Sequence, residues 1–144
     1  MSHTATNLLI HLVFSTKDRV PLITTEVESD LHAYLGGITR ELGSTALCMN
    51  GTPDHVHLLL RLLATQSVSD LTRLIKTNSS RWLHERWPGH RLFAWQTGYG
   101  AFTVSESSVA AVREYISNQR EHHKKRSFQE EFLSLLRKKQ PSDR

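Results

Sequence analysis

The sequence predicts an α+β domain of the ferredoxin-like kind: a four-stranded antiparallel sheet in βαββαβ order with two helices on one face. Three observations carry this expectation. Apolar residues alternate between strand-like runs and stretches that repeat at three- and four-residue steps, in the order strand, helix, strand, strand, helix, strand. Asn50-Gly51, a strong turn signal, stands between two neighbouring strand runs and joins them as a hairpin. The second of these runs, residues 53–62, sorts by alternation into two unlike faces, with Val56, Leu58, Leu60 and Leu62 on one and His55, His57, Leu59 and Arg61 on the other.

Taken in order, residues 7–14 form a continuous apolar run suited to a central strand covered on both faces. His11 shares a face there with Leu9 and Val13, and reads either as a satisfied, half-buried histidine or as support for a site on the neighbouring strand. Lys17 and Arg19 follow in a loop closed by Pro21, as phosphate contacts or as ordinary solvated charges. Val27, Leu31, Tyr34, Leu35, Ile38 and Leu42 then mark an amphipathic helix, with Thr25 and Glu28 as a capping box and Gly43 at its end. Residues 44–49 are a short strand, and Thr52-Pro53-Asp54 lengthens the hairpin beyond the tightest two-residue turn.

Ser67 and Asp70 open a second helix as another capping box, and Val68, Leu71, Leu74, Ile75, Trp82 and Leu83 carry its apolar stripe to about Arg86. Its middle holds Lys76, Thr77, Asn78, Ser79, Ser80 and Arg81, which suit a plain solvated face or a row of phosphate contacts. Trp87-Pro88-Gly89 stops that helix, residues 91–96 are the fourth strand, and Gly98 to Ala101 bend the chain before Phe102. Trp95, Tyr99 and Phe102 are candidates for packing or for stacking on bases.

In this topology the helices cover the Val56 face and leave the histidine face open, so another element must shield it. Val109, Val112 and Ile116 mark a helix from near Ser105 to about His123, on which Tyr115 and Gln119 stand one turn apart with His122 near the same line. After the basic cluster Lys124-Lys125-Arg126, Ser127 starts a short helix through Phe128, Phe132, Leu135 and Leu136. Its apolar stripe needs a partner, and exchange of such a helix between protomers makes a homodimer the expectation. The domain organisation expected is one unit over residues 1–144, with a core of about 7–104, a tyrosine helix of about 105–123 and a tail helix of about 127–137.

The bulk properties agree with a single domain: 144 residues with 38% hydrophobic content suffice for one core. No apolar run approaches the ~20 residues of a membrane span, and the first residues lack a signal-peptide pattern, so the expectation is a soluble cytoplasmic protein without a membrane partner. Cys48 is the lone cysteine, which excludes an internal disulfide and a cysteine-based zinc cluster. A formal charge of +4 and a pI of about 9.5 favour an anionic partner, nucleic acid first.

His55-Val56-His57 fits a metal site facing an anionic ligand, with Arg61 on the same face, or a pair of half-exposed strand histidines. Two imidazoles and one amide oxygen would give a divalent cation three ligands and leave positions for phosphate oxygens, the pattern of a catalytic rather than a structural site. Tyr115, one turn before Gln119, would then stand where a phenolic oxygen can attack phosphorus and conserve the broken bond as a phosphotyrosine. As an isolated residue on an amphipathic helix, Tyr115 is more often core or surface filling, and Gln119 alone carries no weight.

His55-Val56-His57 matches a histidine-hydrophobe-histidine motif, and residues 115–119 resemble a tyrosine helix with glutamine four residues on. With Val13-Phe14-Ser15-Thr16-Lys17 and the run from Trp95-Gln96 through Gly98-Tyr99-Gly100-Ala101-Phe102, the chain resembles the single-tyrosine HUH transposases of small bacterial insertion sequences, a group that includes the REP-associated tyrosine transposases. The resemblance spans about residues 7–136. It implies cleavage and rejoining of single-stranded DNA at hairpin-marked element ends through a covalent 5′-phosphotyrosine, with Mg²⁺ or Mn²⁺ as cofactor. It further implies a homodimer whose tyrosine helix can serve the partner subunit. Carried over, the resemblance makes His55, His57 and Gln119 the metal ligands and Tyr115 the nucleophile, while Lys17, Arg19, Arg61, Lys76, Ser79, Ser80, Arg81, Lys124 and Lys125 are the DNA-binding candidates. Two other functions fit the same residues: a non-catalytic hairpin-binding module, and a small metal-dependent phosphoesterase in which Tyr115 is structural.

Overall fold

Two strands built almost wholly of buried residues form the middle of the sheet, β1 (Leu8–Ser15) and β3 (His55–Leu62), paired antiparallel from Leu8↔Leu62 to Ser15↔His55. The computed structural model describes residues 3–119, 121 and 127–139. β2 (Thr45–Thr52) and β4 (Gly100–Thr103) flank the central pair, also antiparallel, giving the order β2-β3-β1-β4. Helices α1 (Thr25–Glu41) and α2 (Val68–Arg86) fill the crossovers, so the ferredoxin-like expectation holds.

Alternation divides the core as the sequence implies. Ile10, Leu12, Phe14, Val56, Leu58, Leu60 and Leu62 meet Val27, Leu31, Leu35, Leu71, Ile75 and Leu83 of α1 and α2. On the opposite face, Leu9, Leu59 and Val104 pack with Ile116, Val109 and Val112 of α3 (Val109–Ser117), which supplies part of the expected cover. A last helix, α4 (Phe128–Lys139), brings Phe128 against the His55 ring, at 4.5 Å between centroids, and Phe132 toward Phe102 at 6.5 Å. A reciprocal capping box opens α4: Glu130 N–H donates to Ser127 Oγ at 3.2 Å, and Ser127 N–H donates to Glu130 Oε1 at 2.9 Å.

Four local expectations are corrected. Asn50-Gly51 lies inside β2, and the turn is the two-residue Pro53-Asp54, with Thr52 paired to His55. Gly51 serves close approach: a Cβ there would stand 2.4 Å from the His55 carbonyl oxygen. Thr25 is not the N-cap expected of α1, which is capped at Thr24 with no bond from that side chain, whereas Ser67 does accept from Asp70 N–H at 3.0 Å.

Residues 91–96 are not the fourth strand. They touch the end of β1 at one bridge, Thr16↔Trp95, and their aromatics turn inward, with Trp95 edge-on to Phe14 at 4.8 Å and to Phe93 at 4.9 Å. The strand proper follows the bend at Gly98, whose φ is +93°, and alternates buried and exposed over Gly100–Thr103. Finally, the tyrosine helix is not continuous: α3 ends at Ser117, the non-helical Asn118 turns its N–H back to the Glu114 carbonyl, and helical backbone resumes at Gln119 and Glu121. His122 and His123 lie outside the described residues.

Candidate metal centre and nucleophile

The hairpin fixes the first histidine. Pro53 and Asp54 have their carbonyls tied to the segment after β1, through Ile23 N–H at 2.9 Å and Thr16 N–H at 2.9 Å. The turn therefore holds the Asp54 carboxylate, which accepts from Thr52 Oγ1 at 2.9 Å, against His55 Nδ1 at 2.7 Å. His55 Nδ1 is thereby occupied, and its Nε2 points onto the sheet face. His57 is fixed from the neighbouring strand: its Nδ1 meets His11 Nε2 at 2.8 Å, because His11 in β1 is its diagonal neighbour across the pair. His11 is buried and bonded to His57, which fits both of its sequence readings, a satisfied histidine and one placed beside the site.

Beyond these anchored nitrogens, other oxygens converge. Gln119 Oε1 lies 3.2 Å from His55 Nε2, and Glu131 Oε1 of α4 lies 3.0 Å from His55 Nε2 and 3.4 Å from His57 Nε2. His55, His57 and Gln119 are each 0% exposed, and Glu131 only 3%. Ligands held at about 2.1 Å from one ion stand roughly 3.0–3.4 Å from each other in tetrahedral or octahedral sets. The observed separations match, so the residues present fit a divalent cation, with His55, His57 and Glu131 as the cluster and Gln119 beside it. Mixed nitrogen and oxygen donors favour borderline ions such as Mn²⁺ or Zn²⁺ over Mg²⁺ on affinity alone.

Tyr115 stands over the same point. Its ring is edge-on to His57 at 5.8 Å and to His11 at 6.1 Å, and its hydroxyl donates to Glu131 Oε2. Gln119, just past the break at Asn118, donates Nε2 to the Tyr115 carbonyl at 3.4 Å. α3 is stapled to β2 by Asn50 Nδ2 donating to the Ser117 carbonyl at 3.0 Å and by Arg113 to the Leu47 carbonyl at 3.1 Å.

The charges at this centre are strongly coupled. Burial drives His55 toward its neutral form, but hydrogen bonds to Asp54 and Glu131 overcome it and raise the pKa to about 9. Burial also disfavours the Glu131 carboxylate, yet His55, His57 and Tyr115 together hold it well below the usual carboxylate range.

The DNA-binding candidates scatter. Lys17 and Arg19 are exposed in the turn after β1, and Arg19 lines a 250 Å³ cavity with Ser15, Gln96, Tyr99 and Phe128. Arg61 is exposed, bonds Asn7 at 3.1 Å, and stands four residues, about 13 Å, along β3 from His57. Lys76 is half-buried above the Phe14 ring and donates to the Gln96 and Gly98 carbonyls, so it clamps the 96–98 segment, and burial lowers its pKa. Ser79 is buried and accepts from Trp95 Nε1 at 2.9 Å, which turns it away from solvent. Ser80 lines a 480 Å³ groove with Arg73, Thr77 and Tyr99, and exposed Arg81 bonds Asn78. Lys124 and Lys125 lie outside the described residues.

Sequence reasoning missed Glu131. The one available signal was its position between Phe128 and Phe132 on the apolar stripe of α4, where an acid has no reason to be unless it has partners.

The fold and this centre define a ferredoxin-like domain with a buried histidine pair on the sheet face opposite α1 and α2 and a tyrosine on a trailing helix. A family model described as transposase IS200 like matches residues 4–119. The chain is 32% identical over 114 residues to the ISDra2 transposase TnpA of Deinococcus radiodurans, covering 76% of this chain and 81% of the relative. A crystal structure of a protein assigned as a transposase from D. radiodurans superposes with a TM-score of 0.65 at 28% identity, covering 83% of this chain and 95% of that one. A REP-associated tyrosine transposase bound to a REP hairpin shares the fold at a TM-score of 0.59 and 17% identity, covering 82% of this chain and 72% of that one. The chain belongs to the IS200-like transposase family. Among the described residues, no helix is long and apolar enough to cross a membrane.

Proposed function

We propose that this transposase cleaves and rejoins single-stranded DNA at hairpin-marked element ends, with Tyr115 as nucleophile and a divalent metal, Mg²⁺ or Mn²⁺, held by His55, His57 and an oxygen of Gln119 or Glu131. The observation that carries the reading is the convergence of the Tyr115 hydroxyl and the two histidine Nε2 atoms on the single carboxylate of Glu131. A divalent cation held there would polarise the scissile phosphodiester and offset charge on its oxygens. The Tyr115 oxygen gives up its proton and forms the bond to phosphorus, the bond to the 3′ oxygen breaks, and that oxygen takes up a proton and is released as a free 3′ hydroxyl. The reverse attack by a 3′ hydroxyl rejoins strands and frees Tyr115. Asp54 and His11 keep the Nδ1 atoms engaged, so that both imidazoles present Nε2. Hairpin recognition is supported by the REP-associated relative, which was solved with a REP hairpin. Arg73, Ser80 and Tyr99 of the groove between α2 and the 94–99 segment, with Lys17 and Arg19, are the residues for DNA contact. Part of the reading is a homodimer.

The test is a covalent adduct between the protein and labelled single-stranded hairpin DNA, read on a denaturing gel in Mn²⁺. Wild type forms the adduct and Tyr115→Phe forms none. Cleavage that survives in Tyr115→Phe points instead to a phosphoesterase, and binding without cleavage by wild type points to a hairpin-binding module. Mixing Tyr115→Phe with His57→Ala shows whether the tyrosine serves its own chain or the partner: an adduct on the mixture alone reports exchange.

A further inference from the structure

A nucleophile on a tyrosine needs more than a place near the phosphate. The phenolic oxygen sits at the tip of a long side chain, on the last turn of a nine-residue helix that ends two residues later. The staples from Asn50 and Arg113 hold the helix backbone, and the edge-on contacts with His11 and His57 fix the ring plane. Neither sets the direction of the hydroxyl. The acceptor of its proton does, and that acceptor is Glu131.

Glu131 is delivered to this point by construction. The capping box at Ser127 and Glu130 fixes the start of α4, Phe128 lies on His55, and Phe132 fits over Gly100, where a Cβ would come within 2.5 Å of its ring. A buried carboxylate that merely neutralised an imidazolium could place both oxygens on histidine. Here the oxygens are divided, Oε1 toward His55 and His57 and Oε2 toward Tyr115.

We propose that Glu131 is the positioning residue of the nucleophile: one carboxylate ties the Tyr115 oxygen to the histidine pair, so that α4 must be seated for the tyrosine to point at the phosphate bound there. This rests on the strand-transfer reading above and adds to it a residue that the tyrosine motif does not include. Gln119, although next to the histidines, bonds only the backbone of Tyr115 and leaves the phenol's direction unset.

Glu131→Gln is the discriminating variant, because its amide keeps one oxygen for the histidines while presenting N–H₂ to the phenol. The hydroxyl must then accept where it had donated. The full-length protein is compared as wild type, Glu131→Gln, Glu131→Asp and Tyr115→Phe. The tyrosine Raman doublet, taken as a difference against Tyr115→Phe, reads donor or acceptor character at that one phenol without metal or DNA. Mn²⁺ binding is followed by electron paramagnetic resonance, and the rate of adduct formation is measured in single turnover at saturating Mn²⁺ and DNA. Glu131→Gln is expected to switch the Raman signature and to slow adduct formation about 100-fold with DNA affinity unchanged, the cost of a misaligned reacting atom. Glu131→Asp, which retains an acceptor, is expected to recover part of that rate. An unchanged Raman signature, a rate within about two-fold of wild type, or a faster rate overturns the proposal, the last by making the carboxylate a brake. If wild type forms no adduct, the strand-transfer reading falls, and the Raman comparison still decides whether Glu131 directs Tyr115.

Discussion

His57 divides its two ring nitrogens between tasks, Nδ1 toward His11 and Nε2 toward the converging oxygens, and that division depends on a residue from another strand. Once Nε2 ligates a cation, Nδ1 carries the proton and His11 Nε2 accepts it, which holds the imidazole in the ligating tautomer. His11→Ala removes the acceptor and leaves a buried N–H without it. Mn²⁺ affinity is expected to fall about 10- to 100-fold, the usual cost of losing an outer partner, while Tyr115→Phe leaves it near wild type. Equal affinities for wild type and His11→Ala in a calorimetric titration would sink this role. At this scale the histidine pair was legible because a strand has period two: His55 and His57 had to share a face, and Leu58 and Leu60 had to take the other. Gln119 was reached only through the family resemblance, as the glutamine four residues on from Tyr115. Glu131 was not legible, since its histidine partners are 74 and 76 residues away in sequence, Tyr115 is 16 away on another helix, and no local period connects them.

The elements were legible where one face is buried and misleading where a loop is. Leu71, Ile75 and Leu83 placed α2 correctly because helical spacing put them all on the core, and Ser67 capped it as its side chain requires. Phe93 and Trp95 looked like strand residues because they are apolar and close together. Their burial comes from packing on Phe14 beneath α2, in a segment whose backbone meets β1 only at its end. Gly51 misled in the opposite sense: Asn-Gly is the strongest hairpin signal, yet here the glycine lets β2 lie against the backbone of β3 beside His55. Gly51→Ala puts a methyl into the His55 carbonyl, a backbone atom that cannot rotate away. The variant is expected to lose about 1–3 kcal/mol of stability in denaturant titration, as overpacked sites do. It should also weaken Mn²⁺ binding, because the strands part where His55 is held. Gly37→Ala, whose Cβ meets nothing within 4 Å, is the control within α1 and should match wild type or exceed it. A Gly51→Ala protein as stable as Gly37→Ala would refute the close-approach account.

At the scale of the whole molecule, the sheet order followed from the count and order of the elements, because βαββαβ leaves few ways to place four antiparallel strands. What that order could not reveal is that α4 closes over the histidine face and brings an acid into it, so that the metal-free protein holds an imidazolium–carboxylate pair in its interior. The pair couples folding to pH. The His55 pKa rises from 6.5 to about 9 on folding, so its stabilisation is fully present below pH 6.5 and is lost as pH climbs through about 9. Glu131 is depressed from 4.5, so its stabilisation is fully present above pH 4.5 and is lost as acid protonates it. In EDTA, the contribution of this pair to the melting temperature is therefore greatest between pH 4.5 and 6.5 and declines toward pH 9. A divalent cation has to displace the His55 proton, so Mn²⁺ binds more tightly as pH rises, and each binding event releases protons to the buffer. The stabilisation that Mn²⁺ adds should accordingly grow from pH 6.5 toward 9, over the range where the EDTA protein is losing its own. In Glu131→Gln the alkaline decline in EDTA should flatten, because without the carboxylate the imidazolium loses one of the two partners that raise its pKa. Thermal melts of both proteins across this range, in EDTA and in Mn²⁺, decide the point: a Mn²⁺ increment independent of pH would mean that the cation does not compete with the His55 proton and so does not bind at this pair.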